Sequence, residues 1–234
     1  MTRGLLTLLA VLVLFPAAAS AQAYQCRLPD RIQMPRAEAP DGPVRRVPVG
    51  RYTLAASWSP EYCRFNGARS PVQCSGRNGR FGFILHGLWP EARSGPPPQW
   101  CSLTPRPAPA LLRQHLCMTP SARLLEHEWA KHGSCMAKRP ETYFTVSAVL
   151  WNAIAWPDAD QLSRRKGLTA GDLRREFIRA NPDWNPRQIG IHTSQGGWLR
   201  EVRLCLGRDF LPEDCPARTL GVRDAAPLKI WRGI

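Results

Sequence analysis

The chain has 234 residues, 44% of them hydrophobic, and a formal net charge of +14 from 32 lysines and arginines against 18 acidic residues. That length holds one large core or two small ones, and no repeat, heptad or long linker divides it, so one domain is expected. Past its first residues no stretch is apolar enough for a membrane span, and none of the 8 cysteines forms a Cys-x-x-Cys pair, which excludes a zinc ribbon or a thioredoxin-type redox site.

Residues 1–23 read as a secretory leader: Arg3 supplies the positive start, Leu5 to Phe15 the apolar run. Ala19-Ser20-Ala21 and Ala21-Gln22-Ala23 offer cleavage after Ala21 or Ala23. A mature domain over 24–234 is expected in the periplasm or the medium, where 8 cysteines argue for four disulfides. Proximity favours Cys63–Cys74 and Cys205–Cys215 as clips on short loops; arithmetic alone leaves the rest open. Removing the leader takes away only one charged side chain, so the mature chain stays basic. Most of that charge is arginine, whose planar fork suits phosphate, and a polyanionic partner is the direct inference. A GC-rich genome would enrich arginine as well.

In chain order, residues 24–50 are rich in Pro and Arg and read as an extended arm over the surface. Arg51 to Ser57 has strand character. Tyr62 to Gly79 reads as a polar loop held by its two cysteines. Phe81, Phe83 and Leu85 alternate with Gly82, Ile84 and His86, a largely buried strand that delivers His86 at its end. Prolines make 91–109 a stapled loop. Leu111–Leu116 is a short helical piece. Thr119-Pro120-Ser121 opens a stronger helix that Gly133 ends. Further helices are expected over Glu141–Trp156 and from the Thr169-x-x-Asp172 cap to Ala180. Gln188–His192 and Trp198–Leu206 alternate as strands around Gly196-Gly197. Strands, then helices, then strands predict an α+β fold: a central antiparallel β-sheet packed against several α-helices in a single disulfide-stapled domain.

The helix over 121–132 carries the densest chemistry. With His127 as origin and about 100° per residue, Lys131 falls near 40°, Glu128 near 100° and His132 near 140°. Trp129, Leu125 and Ala122 take the opposite side and should face the core. Two histidines, a carboxylate and a lysine on one arc, with His86 elsewhere, are the inventory for general acid–base chemistry on a phosphodiester, since imidazole gives or takes a proton near neutrality. A zinc protease is excluded by spacing, because His127 and His132 are not at i and i+4.

Phe-Gly-Phe-Ile-Leu-His86-Gly-Leu-Trp-Pro90 and His127-Glu-Trp-Ala-Lys-His132-Gly-Ser-Cys135 look like the two active-site segments of the T2 family of secreted, acid-type ribonucleases. Ser57-Trp-Ser-Pro-x-Tyr-Cys63 resembles the family's early strand and loop, and Leu116-Cys117-x-x-Pro-Ser121 the segment before its catalytic helix. Cys205 and Cys215 look like its late clip. The resemblance implies that His132 takes the proton of the ribose 2′-hydroxyl and His86 protonates the departing 5′-oxygen. It also implies that His127 holds a phosphate oxygen and that Lys131 and Glu128 stabilise the pentacoordinate transition state. Trp89 would stack on a base. Single-stranded RNA is the implied substrate and a monomer the implied form, with neither metal nor cofactor needed.

The chain departs from the family in three places. Leu124, Leu125 and Glu126 stand where aromatic residues often line the second base subsite, leaving Leu124 on the substrate side. Glu91 follows the Trp-Pro pair where an acidic residue reads the first base. The cysteine that the family pairs with Cys117 is missing from the 63–74 loop; Cys26 takes its place as Cys26–Cys117, with Cys101–Cys135 beside it. His115 and His192 are expected outside the site, and Trp58, Trp129, Trp151 and Trp184 in the core. The competing readings are a cationic RNA-binding or membrane-active protein on an inactivated scaffold, and a toxin. Retention of both His86 and His132 argues against the first, and no delivery module speaks for the second.

Overall fold

Alternating apolar residues build the central sheet. The computed structural model describes residues 23–24 and 26–233; the leader expected at 1–23 lies, but for its last residue, outside the described residues. β1 (Ala23–Tyr24) pairs with β3 (Arg80–Phe81), while β2 (Arg51–Trp58), β4 (Phe83–Glu91), β5 (Ile189–Thr193) and β6 (Leu199–Leu206) form one antiparallel sheet in the order β4-β2-β6-β5. Leu54, Ala56 and Trp58 of β2 and Val202 and Leu204 of β6 are buried on one face. Period-2 alternation turns Thr53, Ser57, Glu201 and Arg203 to the other.

The helices are α1 (Ser59–Asn66), α2 (Pro71–Cys74), α3 (Pro109–Gln114), α4 (Ala122–Lys131), α5 (Pro140–Asn152), α6 (Ala159–Leu162), α7 (Ala170–Ala180) and α8 (Ala217–Leu220). Leu125 and Trp129 of α4, Tyr143, Phe144 and Trp151 of α5, and Leu173 and Phe177 of α7 close a single core against the sheet. The fold is thus α+β, built around a four-stranded antiparallel sheet. Among the described residues no helix is long and apolar enough to cross a membrane.

Two local expectations are corrected. Tyr62–Gly79 is largely helical, not loop: prolines stand in the first turns of α1 and α2, where proline's fixed φ favours a helix start, and Cys63–Cys74 clips the two together. The helix expected to reach Trp156 ends at Asn152. Asn181 competes for the following backbone, accepting from Ala155 N at 2.9 Å and donating to Ala155 O at 2.8 Å, so Ile154 and Trp156 enter the core on extended chain.

The arm is tied down by arginines. Arg45 Nε donates to Pro97 O at 2.8 Å and Arg113 Nε to Pro29 O at 2.8 Å. Arg45 and Gln99 also exchange backbone hydrogen bonds of 3.0 Å. Arg174, 3% exposed, gathers the carbonyls of Ile189, Leu220 and Val222 and the Asp224 carboxylate. A share of the cationic excess is therefore spent on holding the chain together and is not displayed to a partner. The four disulfides are Cys26–Cys117, Cys63–Cys74, Cys101–Cys135 and Cys205–Cys215.

Candidate active site

A β-bulge aims the first histidine. The strand does not end at His86, as the sequence suggested, but runs on to Glu91: β2 and β4 pair Ala55 with Gly87 and Ala56 with Leu85, so His86 is the extra residue between them. Bulges of this kind redirect a side chain beside a site. The flanking peptide is anchored to the approach of α4: Leu85 N donates to Met118 O at 2.9 Å, and Thr119 Oγ1 donates to Leu85 O at 2.7 Å. Ser121 caps α4 through Leu124 N at 3.2 Å, which fixes where the His127–His132 segment begins.

Two carboxylates flank His86. Its Nδ1 lies 2.9 Å from Glu201 Oε1 and 3.2 Å from Ser57 Oγ, and its Nε2 lies 3.5 Å from Glu128 Oε1. Glu128 is 3% exposed and accepts the indole N–H of Trp89 at 2.7 Å. Gly87 makes this possible, because a Cβ there would run into the Glu128 carboxylate and Trp89 Nε1. The helix wheel set Glu128 on the polar arc; in the structure that position is buried and bonded to Trp89.

His132 follows the last turn of α4, its N–H bonded to Glu128 O at 3.0 Å. Trp89 stands between the two histidines, 5.2 Å from the His86 ring and 5.6 Å from the His132 ring. The surroundings drive the two apart. Burial is the main influence on His132, and the positive charges of Lys131, His127 and His86 add to it, pushing its pKa down to about 3. Burial also opposes a charged His86, but the hydrogen bond to Glu201 and the charges of Glu128 and Glu201 outweigh it and hold His86 above the ordinary histidine value. Burial raises Glu128, against the pull of His86, His127 and the Trp89 N–H. Paired groups separated in this way are how a site assigns its acid and its base.

His127 and Lys131 face the arm. Glu38 Oε2 lies 3.4 Å from His127 Nδ1, and Asp41 Oδ2 lies 2.8 Å from Lys131 Nζ. The Lys131 hydrogen bond leads the influences that lower the Asp41 pKa. Trp100 completes this corner: its N–H bonds Asp41 Oδ1 at 3.0 Å, and its ring centroid lies 5.5 Å from that of His127. Cys101–Cys135 ties this loop to the residues after α4.

The remaining expected residues are less exposed to a substrate than their sequence roles imply. Arg203 covers the Trp89 ring, its Cζ 5.0 Å from the centroid. Glu91, 9% exposed, accepts from Thr53 Oγ1 at 3.2 Å and from Arg218 Nη2 at 2.6 Å. Leu124 is half-buried in the first turn of α4. His115 stacks on Phe144 at 5.1 Å; His192 is the strand partner of Glu201, but its Nε2 is engaged 2.8 Å from Thr219 O. Sequence reasoning missed Glu201, Arg203, Glu38 and Asp41. Glu201 and Arg203 stand two apart in a strand that the sequence does predict, which puts them on one face, but nothing local ties that face to His86; the arm's carboxylates had no signal.

Comparison with known proteins gives one consistent pattern. The Ribonuclease T2 family model matches residues 49–170. A ribonuclease of Aeromonas hydrophila is 43% identical over 164 residues, covering 68% of this chain and 72% of that protein. A probable ribonuclease of Haemophilus influenzae is 38% identical over 136 residues, 53% of this chain but 49% of its own length, so the chain spans about half of that relative. Trichomaglin, described as an S-like ribonuclease, superimposes with a TM-score of 0.63 at 21% identity, covering 79% of this chain and 98% of trichomaglin. RNase NT in complex with 5′-AMP gives a TM-score of 0.58 at 19% identity, with 79% and 98% coverage; both likenesses speak for the fold.

Proposed function

This chain belongs to the Ribonuclease T2 family, and we propose that it is an endoribonuclease that cleaves single-stranded RNA by transphosphorylation without a metal. The ribose 2′-oxygen bonds to phosphorus as the bond to the 5′-oxygen breaks. His132 receives the 2′-hydroxyl proton and His86 delivers one to the 5′-oxygen. A 2′,3′-cyclic phosphate results, and in its slower hydrolysis His86 takes a proton from water while His132 returns one to the 2′-oxygen, leaving a 3′-phosphate.

One observation carries this reading: the opposed basicities of the histidines on either side of Trp89. A base must start neutral and an acid must start protonated. His132, lowered to about 3, and His86, raised, meet both conditions over a wide range of pH. The same contrast disfavours an inactivated scaffold. His127, Lys131 and Glu128 surround the position the phosphate would take and would answer the charge that builds on it. Because the nucleophile belongs to the substrate, nothing in the scheme calls for a metal, and DNA, which lacks the 2′-hydroxyl, would bind without reacting.

The four disulfides support an oxidising compartment, so we place the enzyme in the periplasm or the medium, acting as a monomer. The test is a homopolymer RNA digested in excess chelator, with the product termini identified. Cyclic and then 3′-phosphate ends, and no cleavage of the matching DNA, are expected. Activity lost to chelator and restored by a divalent ion would refute the mechanism, as would a His132→Ala protein as active as a His115→Ala one.

A further inference from the structure

We infer that Glu201 is a positioning residue for the acid histidine: its carboxylate takes the Nδ1 proton of His86 in a hydrogen bond, so the proton that is transferred is the one on Nε2. The inference rests on the proposed acid role of His86 and goes beyond it by naming the group that sets the ring's orientation and charge.

The geometry is specific. Glu201 lies on β6 opposite Ser57 of β2, and its side chain is buried, with the residue 3% exposed. One oxygen is 2.9 Å from His86 Nδ1, and the other accepts from Arg203 Nε at 2.6 Å. A carboxylate buried this deeply is tolerable only when paired and hydrogen-bonded. Arg203 and His86 are the two groups that meet that demand, and the His86 hydrogen bond leads the influences that lower Glu201 to about 2, against the effect of burial. An ionised carboxylate has no proton to give, so Nδ1 must donate. The tautomer is then fixed, and Nε2 gains its proton only as the ring becomes a cation.

Glu128 cannot do this work. It lies on the Nε2 side at 3.5 Å, where the departing oxygen has to come, and it is already pinned to the Trp89 N–H. Around the imidazole the groups facing it are Ser57 from β2, Glu201 and Arg203 from β6, Glu128 and His132 from α4 and its cap, and Trp89 from its own strand. Of the two carboxylates, Glu201 alone lies behind the ring, away from the reacting face. It also links the acid to Trp89, because Arg203, which it holds, rests on the indole.

The test is Glu201→Gln, which keeps a carbonyl acceptor near Nδ1 and removes the charge. Two substrates are compared: RNA, whose 5′-oxygen needs a proton to leave, and uridine 3′-(4-nitrophenyl phosphate), whose nitrophenolate leaves without one. On RNA, kcat should fall about 10- to 100-fold, the range seen when the partner that orients a functional histidine is removed. KM should hold, and the alkaline limb of the pH profile should move to lower pH. On the nitrophenyl ester the variant should match the wild type. An unmoved limb, or equal losses on the two esters, overturns the inference, because a merely structural residue would slow both reactions alike. A wild type that cleaves neither ester would instead refute the ribonuclease reading itself. The wild-type protein gives a second readout that needs no variant. By NMR, the His86 ring should titrate above free histidine with its Nδ1 proton retained; titration at or below the free value overturns the inference.

Discussion

His86 and His132 share a neighbour, Trp89, at 5.2 and 5.6 Å between ring centroids, and their pKa values are moved in opposite directions by what lies on their far sides. Behind His86 is a carboxylate on a strand, which helps outweigh its burial, whereas His132 is held down first by burial and then by the positive charges beside it. His132, the proposed base, is neutral above about pH 3, while His86, the proposed acid, stays charged past the ordinary histidine value. The kcat/KM profile, which reports the free enzyme, should therefore be a broad plateau and not a narrow bell. Its acidic limb should lie well below the free-histidine value of about 6.5, and its alkaline limb above it. Rates on a short oligonucleotide across that range check this; a peak centred between two closely spaced limbs would contradict it.

Gly87 is the hinge of the same arrangement. A Cβ at this position meets the Glu128 carboxylate and the Trp89 Nε1, so Gly87→Ala must push the carboxylate away from the indole that holds it. Sheet pairing on either side leaves little freedom to yield, since Gly87 faces Ala55 at the bulge. The variant should fold, because the atoms the methyl meets are side-chain ends and not backbone, yet lose about 10²-fold or more in kcat, the scale of a lost proton transfer or a displaced charge. Single-turnover rates measure it, and wild-type turnover would show that Glu128 adjusts at no consequence.

Much of this was legible in the chain because it is local. The opening of α4 at Thr119-Pro120-Ser121, the Trp129 face and the Thr169-x-x-Asp172 box are local signals, and all three are present. The cap is Ser121, however, and Pro120 stands before it, not in the first turn. The bulge at His86 was half legible: Gly87 inside a strand is a bulge signal, though its register depends on a partner strand far away in sequence. Glu201 and Asp41 were not legible as site residues. Their roles come from contacts across 115 and 90 positions, and no periodicity in a proline-rich arm encodes where it will lie. The polar look of 62–79 misled for a related reason, since proline at a helix start reads like proline in a loop.

His132 should also make the fold acid-sensitive. In the unfolded chain its imidazole takes a proton as pH falls through about 6.5, whereas the folded site refuses it until about 3. The unfolded state binds more protons in between, so the stability contributed above that window is lost as pH falls through it. Glu201, lowered to about 2, has the same sign at lower pH. His86, raised, has the opposite sign, contributing most below its unfolded value. Comparing His132→Phe with wild type isolates the one group. Between neutrality and about pH 4 the variant's Tm should fall by less than that of the wild type; parallel declines would mean that His132 is freely protonated in the folded protein.

Two of the arm's carboxylates should compete with substrate. Glu38 and Asp41 sit on His127 and Lys131 at 3.4 and 2.8 Å, the two groups proposed to hold phosphate oxygens, so RNA must displace them or approach against their charge. Glu38→Gln with Asp41→Asn removes that charge while keeping acceptors for His127 and for the Trp100 N–H, so the arm should stay docked through its Arg45, Gln99 and Arg113 ties. Asp41 is more than half exposed, and such pairs are worth at most about 1 kcal/mol. The effect should therefore be modest, a KM for RNA lower by up to about 5-fold, with kcat little changed because neither carboxylate touches His86 or His132. Salt should shrink the difference, since screening weakens exposed pairs and RNA binding alike. Initial rates at low and at high salt make the measurement. An unchanged KM at low salt would mean that the phosphate approaches α4 from a side the arm does not guard.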